Sequence, residues 1–413
     1  MVMICCSPMK DKRARREGNY LAQVKSAQGF WSRFSIERVR GLFRELLHLL
    51  PKALYKLRFP LSFLLSAIVL QIIAALFPSL VERLYARSIY PHIASALSFF
   101  SRRFRFSVAE ALIYLAIAFI LLSLARLALR LYLRPAERLK RAGVAARFMA
   151  WSMAVCLWAF LLSFGLNYQR PLLFDMLGFE RTEPTAASLE AMSGEIISRL
   201  NESYEEARAS GRTVPEREEI IHLLEESYSS TPELRLLPKG SFASPKPVYF
   251  SGVMTRLGIS GIYFPFTAEP NYNAEQPDFQ LPFTMAHEMA HQRGVARESE
   301  ANFVAFLVCV NSADPFIRYS GYRNALGVLA ELFRKEPEKA KELARQIGPG
   351  FREDSRRAAL FWARANNLIG NLGAHINDLY LRANGVQSGT ADYARSTTLI
   401  IGYYRRRLES DSQ

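Results

Sequence analysis

Long apolar runs dominate the first 170 residues of the chain, whereas apolar and polar positions alternate through the rest. Three runs stand out, at residues 60–80, 108–129 and 147–166. Each has roughly the 20 apolar residues that an α-helix needs to cross a bilayer. The pattern predicts a membrane domain of three transmembrane helices over residues 60–167, followed by a second domain over residues 168–413.

The second domain has the periodicity of helices interrupted by one short β-prone region. Residues 248–250 and 262–267 are β-prone, and Pro265 marks the latter as an edge strand because proline donates no ladder hydrogen bond. Residues 268–278 are polar and are predicted to form a loop. Helical patterns cover residues 188–209, 216–228, 316–333, 337–346, 351–382 and 392–407. The predicted fold is mainly α, with an α+β second domain that has a small sheet and a helical C-terminal part.

The formal net charge of +15 is confined to two segments. Residues 1–58 contain 13 Lys or Arg against four acidic residues, and residues 126–147 contain seven against one. Because these segments hold the whole excess, a nucleic-acid-binding surface is not expected. Both lie on one side of a three-span topology, so the positive-inside rule predicts a basic cytoplasmic arm at residues 1–59 and an extracytoplasmic domain at residues 168–413.

Two weaker features complete the sequence picture. Residues 84–106 mix aromatic residues with arginines and are predicted to lie at the membrane interface or to fold against the outer domain. Four cysteines, of which only Cys309 lies in the C-terminal domain, provide no disulfide framework.

The chemistry is concentrated in residues 281–310, where His287, Glu288 and His291 form the pattern H-E-x-x-H. On a helix this spacing places both imidazoles one turn apart on one face. A tetrahedral zinc ion, with Zn–N bonds of about 2.0–2.1 Å, requires such a placement. Glu288, beside the first ligand, is the expected general base for the attacking water.

Zinc needs a third protein ligand, and the nearest carboxylates are Glu298 and Glu300. On a continuous helix Glu298 would lie about 10.5 Å beyond His291 along the axis and could not share the metal. Gly294 removes this difficulty, since glycine readily adopts the left-handed conformation that ends a helix and reverses the chain. The two carboxylates lie about 200° apart around a second helix, so only one can face the metal.

Glu298 is favoured as this ligand because it shares a helix face with Asn302, whose amide could orient a zinc-bound histidine. Glu300 is the alternative ligand and is otherwise expected to pair with a nearby arginine. Residues 297–302, RESEAN, resemble the R-E-x-x-A-D signature of membrane-anchored gluzincin metallopeptidases of the Ste24 and HtpX type. That resemblance implies that Glu298 is the third zinc ligand. The chain departs from it in having Asn302 in place of an aspartate and a shorter gap after H-E-x-x-H.

A broader resemblance extends over most of the chain. The three spans and the stretches GLNYQRP, GIYFPFTAEPNYN, LPFTMAHEMAHQRGVARESEANF and NDLYLRANGVQSGTADY resemble the bacterial family catalogued as domain of unknown function 3810. This resemblance implies a zincin in the bacterial inner membrane and implies no particular substrate.

The predicted function is a membrane-anchored zinc-dependent metallopeptidase that acts on a protein or peptide substrate. The alternative is a zinc-binding membrane sensor or assembly factor without protease activity. Residues 263–267 would bind substrate by strand addition. A hydrogen-bond donor for the oxyanion is also needed. The sequence leaves five candidates open: Tyr319, Tyr322, His375, Tyr380 and Tyr393.

Overall fold

The part of the chain that the structure describes is mostly helical and contains one three-stranded sheet. A computed structural model describes residues 36–134, 138–180, 182–209, 211, 214–389, 392 and 395–411. The first 35 residues of the predicted basic arm lie outside the described residues.

Among the described residues, three helices are long and apolar enough to cross a membrane, which agrees with the predicted number of spans. The apolar segments run over Tyr55–Leu76, Val108–Leu133 and Leu139–Ser163. They belong to helices α1 (Ile36–Leu76), α4 (Val108–Leu133) and α5 (Arg138–Ser163). The first span ends before the predicted residue 80 because Phe77 precedes Pro78, and a residue before proline is disfavoured in the α conformation.

Helices α1 and α5 pack side by side. The Phe63 and Trp158 rings stack with centroids 5.5 Å apart, and Trp158 Nε1 donates to the Phe63 carbonyl oxygen at 3.0 Å. The hydrophobic window of α4, by contrast, contains no buried residue. Its Phe119 ring contacts the Phe148 ring of α5, with centroids 6.5 Å apart. The described spans therefore comprise a closely packed pair and a third helix that is exposed along most of its length.

The segment between the first two spans folds onto the rest of the chain, as predicted for residues 84–106. It comprises α2 (Pro78–Leu80), a π-helix (Val81–Ile89) and α3 (Tyr90–Ser101). Tyr90 is fully buried, and its hydroxyl donates to the carbonyl oxygens of Gln292 at 2.9 Å and His291 at 3.3 Å. This segment therefore contacts the predicted metal-binding helix directly.

The predicted C-terminal helices are present, with breaks that the periodicity did not show. The helices after the third span are α6 (Leu173–Met176), α7 (Ala186–Ala209), α8 (Arg217–Ser230), α9 (Ser251–Leu257), α10 (Leu281–Gln292), α11 (Glu298–Val310), α12 (Pro315–Arg323), α13 (Gly327–Lys335), α14 (Pro337–Arg345), α15 (Pro349–Trp362), α16 (Leu368–Ala383) and α17 (Ser396–Asp411). The predicted helix 316–333 is divided into α12 and α13. The predicted helix 351–382 is divided into α15 and α16, and the Asn367 side chain caps the second by accepting from the N–H groups of Ile369 and Gly370.

The sheet has the strand order β1–β3–β2 and includes one strand that was predicted to be loop. The strands are β1 (Lys246–Val248), β2 (Gly261–Phe264) and β3 (Glu269–Asn273). β3 pairs parallel to β1 and antiparallel to β2. The loop prediction for residues 268–278 was therefore wrong for residues 269–273, whereas residues 274–277 are turn and irregular structure.

The polar side chains of β3 are buried, and most of their polar atoms have partners within the protein; among the described residues Asn271 Oδ1 has none. Glu269 accepts hydrogen bonds from Lys246 Nζ, Thr267 Oγ1 and the Ala109 backbone N–H. Asn273 donates to the Thr255 hydroxyl at 2.9 Å. The prediction for β2 as an edge strand holds, although the strand ends at Phe264, before Pro265.

Helix α11 lies at the centre of the main hydrophobic core. Its residues 303–309 are fully buried among side chains of α7, α8, α10 and α12. This burial agrees with the interpretation of residues 303–310 as a core helix and rules out solvent contact for most of its surface. Because α11 is packed on most sides, the position of Glu298, its first residue, is held by the core.

Candidate metal centre

Helix α10 presents two histidines from the same face. Every residue of the helix except Phe283 is buried. His287 and His291 lie one turn apart, and their Nε2 atoms are 3.0 Å from each other. The H-E-x-x-H spacing thus places two imidazole nitrogens at one point, as the sequence predicts.

The chain reverses directly after this helix. Gly294 has a left-handed backbone with φ of +79°, and the Val295 N–H donates back to the Ala290 carbonyl oxygen at 3.1 Å. This hydrogen bond, together with the left-handed glycine, forms the Schellman end of a helix. The reversal allows α11 to begin at Glu298 beside the two imidazoles.

The three side chains form a cluster that could hold a metal ion. Glu298 Oε2 lies 3.1 Å from His287 Nε2 and 3.6 Å from His291 Nε2. Tetrahedral zinc with bonds of about 2.05 Å would place its ligand atoms about 3.3 Å apart. The observed separations of 3.0, 3.1 and 3.6 Å lie close to that value on every edge of the triangle. The donor set therefore fits a small divalent ion.

The ring orientation of His291 is fixed by the backbone. Its Nδ1 lies 2.7 Å from the Val295 carbonyl oxygen, an acceptor, so Nδ1 carries the proton and Nε2 offers its lone pair to the cluster. Asn302, predicted to orient a ligand, is half-buried one turn beyond Glu298. Within the described residues no hydrogen bond joins Asn302 to either imidazole, so its role stays a prediction.

Glu300 points away from the cluster. Its Oε1 accepts from the Leu173 backbone N–H at 2.8 Å and lies 3.4 Å from Arg297. Burial raises the pKa of Glu300, whereas Arg297 lowers it. Of the two carboxylates that the sequence offers, Glu298 is the one placed with the histidines.

Charge is tightly coupled within the cluster. Burial raises the pKa of Glu298, but His291 and His287 outweigh that effect and hold the pKa below its ordinary value. Burial lowers the pKa of His291, but the charge and hydrogen bond of Glu298 raise it to about 9. Glu298 therefore favours a positive charge beside it, which either a proton on an imidazole or a cation held by the neutral imidazoles could supply.

Glu288 lies beside the cluster in a closed environment. Burial raises its pKa to about 7, although His287 and His291 oppose the rise. The Tyr263 backbone N–H also lowers the pKa of Glu288. Its Oε2 is buried, with no hydrogen-bond partner in the part of the chain that the structure describes. A carboxylate with a pKa near neutrality is suited to accept and release a proton.

Strand β2 lies directly against this carboxylate. A Cβ atom added to Gly261 would stand 2.5 Å from Glu288 Oε1, so only glycine leaves room there. Of the predicted substrate-binding segment 263–267, Tyr263 and Phe264 belong to β2, and the other residues form the turn before β3.

The sequence analysis missed the residues that hold the reversal between α10 and α11. The guanidinium of Arg170 donates to the Gly294 carbonyl oxygen at 2.8 Å and pairs with Glu82 at 2.6 Å. Both members of this pair are buried. Burial raises the pKa of Glu82, but Arg170 and Arg87 lower it by more, so the net pKa lies below its ordinary value. Arg170 follows the third span in GLNYQRP, but nothing in the sequence links it to Glu82.

Three of the five candidate oxyanion donors lie apart from the cluster. Tyr319 donates to Asp354 at 2.9 Å, and Tyr322 packs edge-on against Phe306. His375 is exposed on α16. None of the three is hydrogen-bonded to a cluster member among the described residues. A fourth candidate, Tyr393, lies outside the described residues.

Tyr380 is the described candidate donor whose pKa is influenced by a member of the cluster. Burial raises its pKa to about 12; the hydrogen bond of Tyr168 lowers the pKa, and the charge of Glu298 raises it. Tyr168 donates to the Tyr380 hydroxyl oxygen at 3.3 Å, so the Tyr380 proton remains available to another acceptor. Tyr380 is therefore the best placed of the described candidates.

Comparisons with known proteins identify a family but no characterised relative. No curated protein and no solved structure matches the chain. The family described as a protein of unknown function, DUF3810, matches residues 85–401, which include the whole metal cluster and the second and third spans. The chain therefore belongs to the DUF3810 family.

Proposed function

We propose that this protein is a membrane-anchored zinc metallopeptidase with a zincin-like catalytic domain. The observation that carries the proposal is the joint placement of two imidazoles and the Glu298 carboxylate at one point, with a second buried carboxylate, Glu288, on the same helix as the imidazoles. His287, His291 and Glu298 would hold the ion. Two histidines and a glutamate leave a fourth coordination position open, which is typical of catalytic rather than structural zinc.

Zinc, when bound, acts as a Lewis acid that makes water a nucleophile at neutral pH. Glu288 takes the proton from the attacking water and passes it to the leaving amine as the peptide bond breaks. Its buried position and its pKa of about 7 suit both transfers. Val295 keeps the proton of His291 on Nδ1, which leaves Nε2 as the ligand atom.

Tyr380 supplies the hydrogen bond to the developing oxyanion. Its hydroxyl accepts from Tyr168 and keeps its own proton free for this use. Preorganised donors of this kind act at the charge that forms only in the transition state. Tyr380 is partly exposed, with an exposed fraction of 39%, and so lies outside the buried core.

The substrate lies along strand β2. β2 is the outer strand of the sheet and pairs only with β3 among the described strands, so its other edge is available to an extended peptide. Because Gly261 of β2 lies against Glu288, a peptide paired with β2 would lie close to the carboxylate that accepts the proton. The excess of basic residues in residues 1–58 and 126–147 supports a cytoplasmic N-terminus and an extracytoplasmic catalytic domain in a bacterial inner membrane.

The variant Glu288→Gln tests the proposal against a zinc-binding sensor or assembly factor. It removes the proton acceptor while leaving the three proposed ligands in place. Membranes containing the wild-type protein and membranes containing the variant are compared by proteomics for new peptide termini. The proposal expects equal bound zinc in both proteins and termini that occur only with the wild type. Identical termini in both membranes would favour the sensor.

A further inference from the structure

Helix α16 has an apolar stripe that no other part of the described chain covers. The stripe consists of Leu368, Ile369, Leu372, Ile376 and Leu379, whose exposed fractions range from 54% to 88%. These positions fall within about 100° of the helix circumference. The helix is held from another side, where Gly370 and Leu381 are buried.

The C-terminal end of α16 contacts the packed pair of spans. The Gln71 side chain of α1 donates to the Ala383 carbonyl oxygen at 3.5 Å. The Phe160 ring of α5 meets the Tyr380 ring edge-on, with centroids 6.0 Å apart. Gln71 lies five residues before the end of α1, roughly 7.5 Å along the helix axis. This end of α16 is thus level with the last turns of two spans.

The N-terminal end of α16 is joined to the remaining span through α9. The Asn367 side chain donates to the Arg256 carbonyl oxygen at 3.2 Å, and Gly373 packs closely on Leu257. The two residues before α9 are tied to the first turn of α4, where Glu110 accepts from their backbone N–H groups at 2.8 and 3.0 Å.

These two residues, Tyr249 and Phe250, extend the exposed apolar surface together with Val253. Their exposed fractions range from 50% to 86%. The Phe250 ring also contacts the Tyr114 ring of α4, with centroids 5.3 Å apart. The apolar surface therefore runs from the start of α4 to the ends of α1 and α5.

The contacts of α16 with α1 and α5 at one end, and through α9 with α4 at the other, fix the position of this surface along the membrane normal. Helix α16 has 16 residues and is about 24 Å long, so it bridges the distance between the spans in the plane of the membrane surface. An adjacent face of α16 is polar and consists of Asn371, His375, Asp378 and Arg382. Asp378 and Arg382 form an ion pair at 2.7 Å. A helix with one apolar and one charged face at this level is typical of an interfacial membrane helix.

We propose that α16, with the 249–253 segment, lies in the lipid leaflet nearest the metal centre, with its stripe on the acyl chains. Lipid is the occupant because both ends of the surface are continuous with membrane-spanning helices. Tyr380 follows the last stripe residue and accepts a hydrogen bond from the Tyr168 hydroxyl at 3.3 Å, and the Tyr168 carbonyl oxygen accepts from Arg297, the residue before Glu298, at 2.9 Å. If the proposed peptidase function holds, its substrates are polypeptide segments at the bilayer surface.

Spin labels on the full chain in phosphatidylcholine and phosphatidylglycerol liposomes test the placement. The background carries Cys5→Ser, Cys6→Ser and Cys156→Ala and keeps Cys309, which is fully buried. Labels at Leu372→Cys and Ile376→Cys report the stripe. Labels at Asn371→Cys on the polar face of the same helix provide the matched control.

The proposal expects the two stripe labels to collide severalfold more with dissolved oxygen than with a water-soluble nickel chelate, and the control label to show the reverse. Nickel accessibility at the stripe equal to that of the control would show a water-exposed surface and overturn the proposal. Protection from both reagents, with spin–spin coupling between chains, would assign the stripe to a second copy and also overturn it. The readout needs neither metal nor cleavage, so it is independent of the peptidase proposal.

Discussion

Replacing Gly294 with alanine tests whether the chain reversal builds the metal cluster. The backbone at Gly294 has φ of +79°, a conformation that costs an L-residue with a Cβ about 1–2 kcal/mol. The new Cβ would also stand 3.0 Å from Tyr90 Cε1 and 3.2 Å from Asn167 Oδ1. Both neighbours are buried, and the Tyr90 hydroxyl binds the last carbonyl groups of α10. Relief of this contact must therefore shift either α10 or the start of α11.

Such a shift separates Glu298 from the two imidazoles. We expect zinc affinity, measured by competition with a chromophoric chelator, to fall about 10- to 100-fold, the loss typical when groups that orient metal ligands are removed. Gly211→Ala is the matched control, since Gly211 has φ of +61° and an added Cβ would meet nothing within 4 Å. The control should lose stability and keep its zinc affinity. Wild-type affinity in Gly294→Ala would refute the reasoning.

Three further predictions concern single side chains. Glu298→Gln should lower zinc affinity at least about 100-fold in equilibrium dialysis. Glu300→Gln should keep the wild-type affinity, because Glu300 binds Leu173 and Arg297 instead. Loss of zinc only from the Glu300 variant would reverse the assignment of the third ligand. Tyr380→Phe should lower kcat about 10²- to 10³-fold with zinc content unchanged, and an unaltered kcat would exclude it as the oxyanion donor. The lowered pKa of Glu82 means that its pairing stabilises the fold fully above its unfolded pKa and that this contribution is lost as pH falls through the folded pKa. The thermal midpoint of the wild type should therefore fall at acidic pH more steeply than that of Glu82→Gln, and parallel curves would contradict this.

Hydrophobic patterning was sufficient for the spans and for most helices, because both depend on local periodicity. It failed at β3, whose residues Glu269, Asn271 and Asn273 look like loop residues. In the fold their polar groups are buried and bonded to side chains and backbone up to 161 residues away in sequence. Partners at that distance cannot be inferred from a local pattern.

The metal ligands were predictable because two of them are fixed by helical spacing and the third by a glycine turn. The residues that hold this turn could not be predicted from the sequence. Arg170 reaches Gly294 across 124 positions of sequence, and Tyr90 reaches Gln292 across 202. Glu82 pairs with Arg170 across 88 positions, and none of these residues stands out in its own segment. Their roles follow only from the packing of the first interspan segment against α10.

The central claim is that His287, His291 and Glu298 bind one divalent ion. Its most direct test is elemental analysis of the full-length protein, purified in detergent without chelators and compared with a His287→Ala, His291→Ala double variant prepared in the same way. The account predicts one zinc per wild-type chain and none in the variant. No stoichiometric metal in the wild type after dialysis against zinc, or equal metal in both proteins, would contradict it.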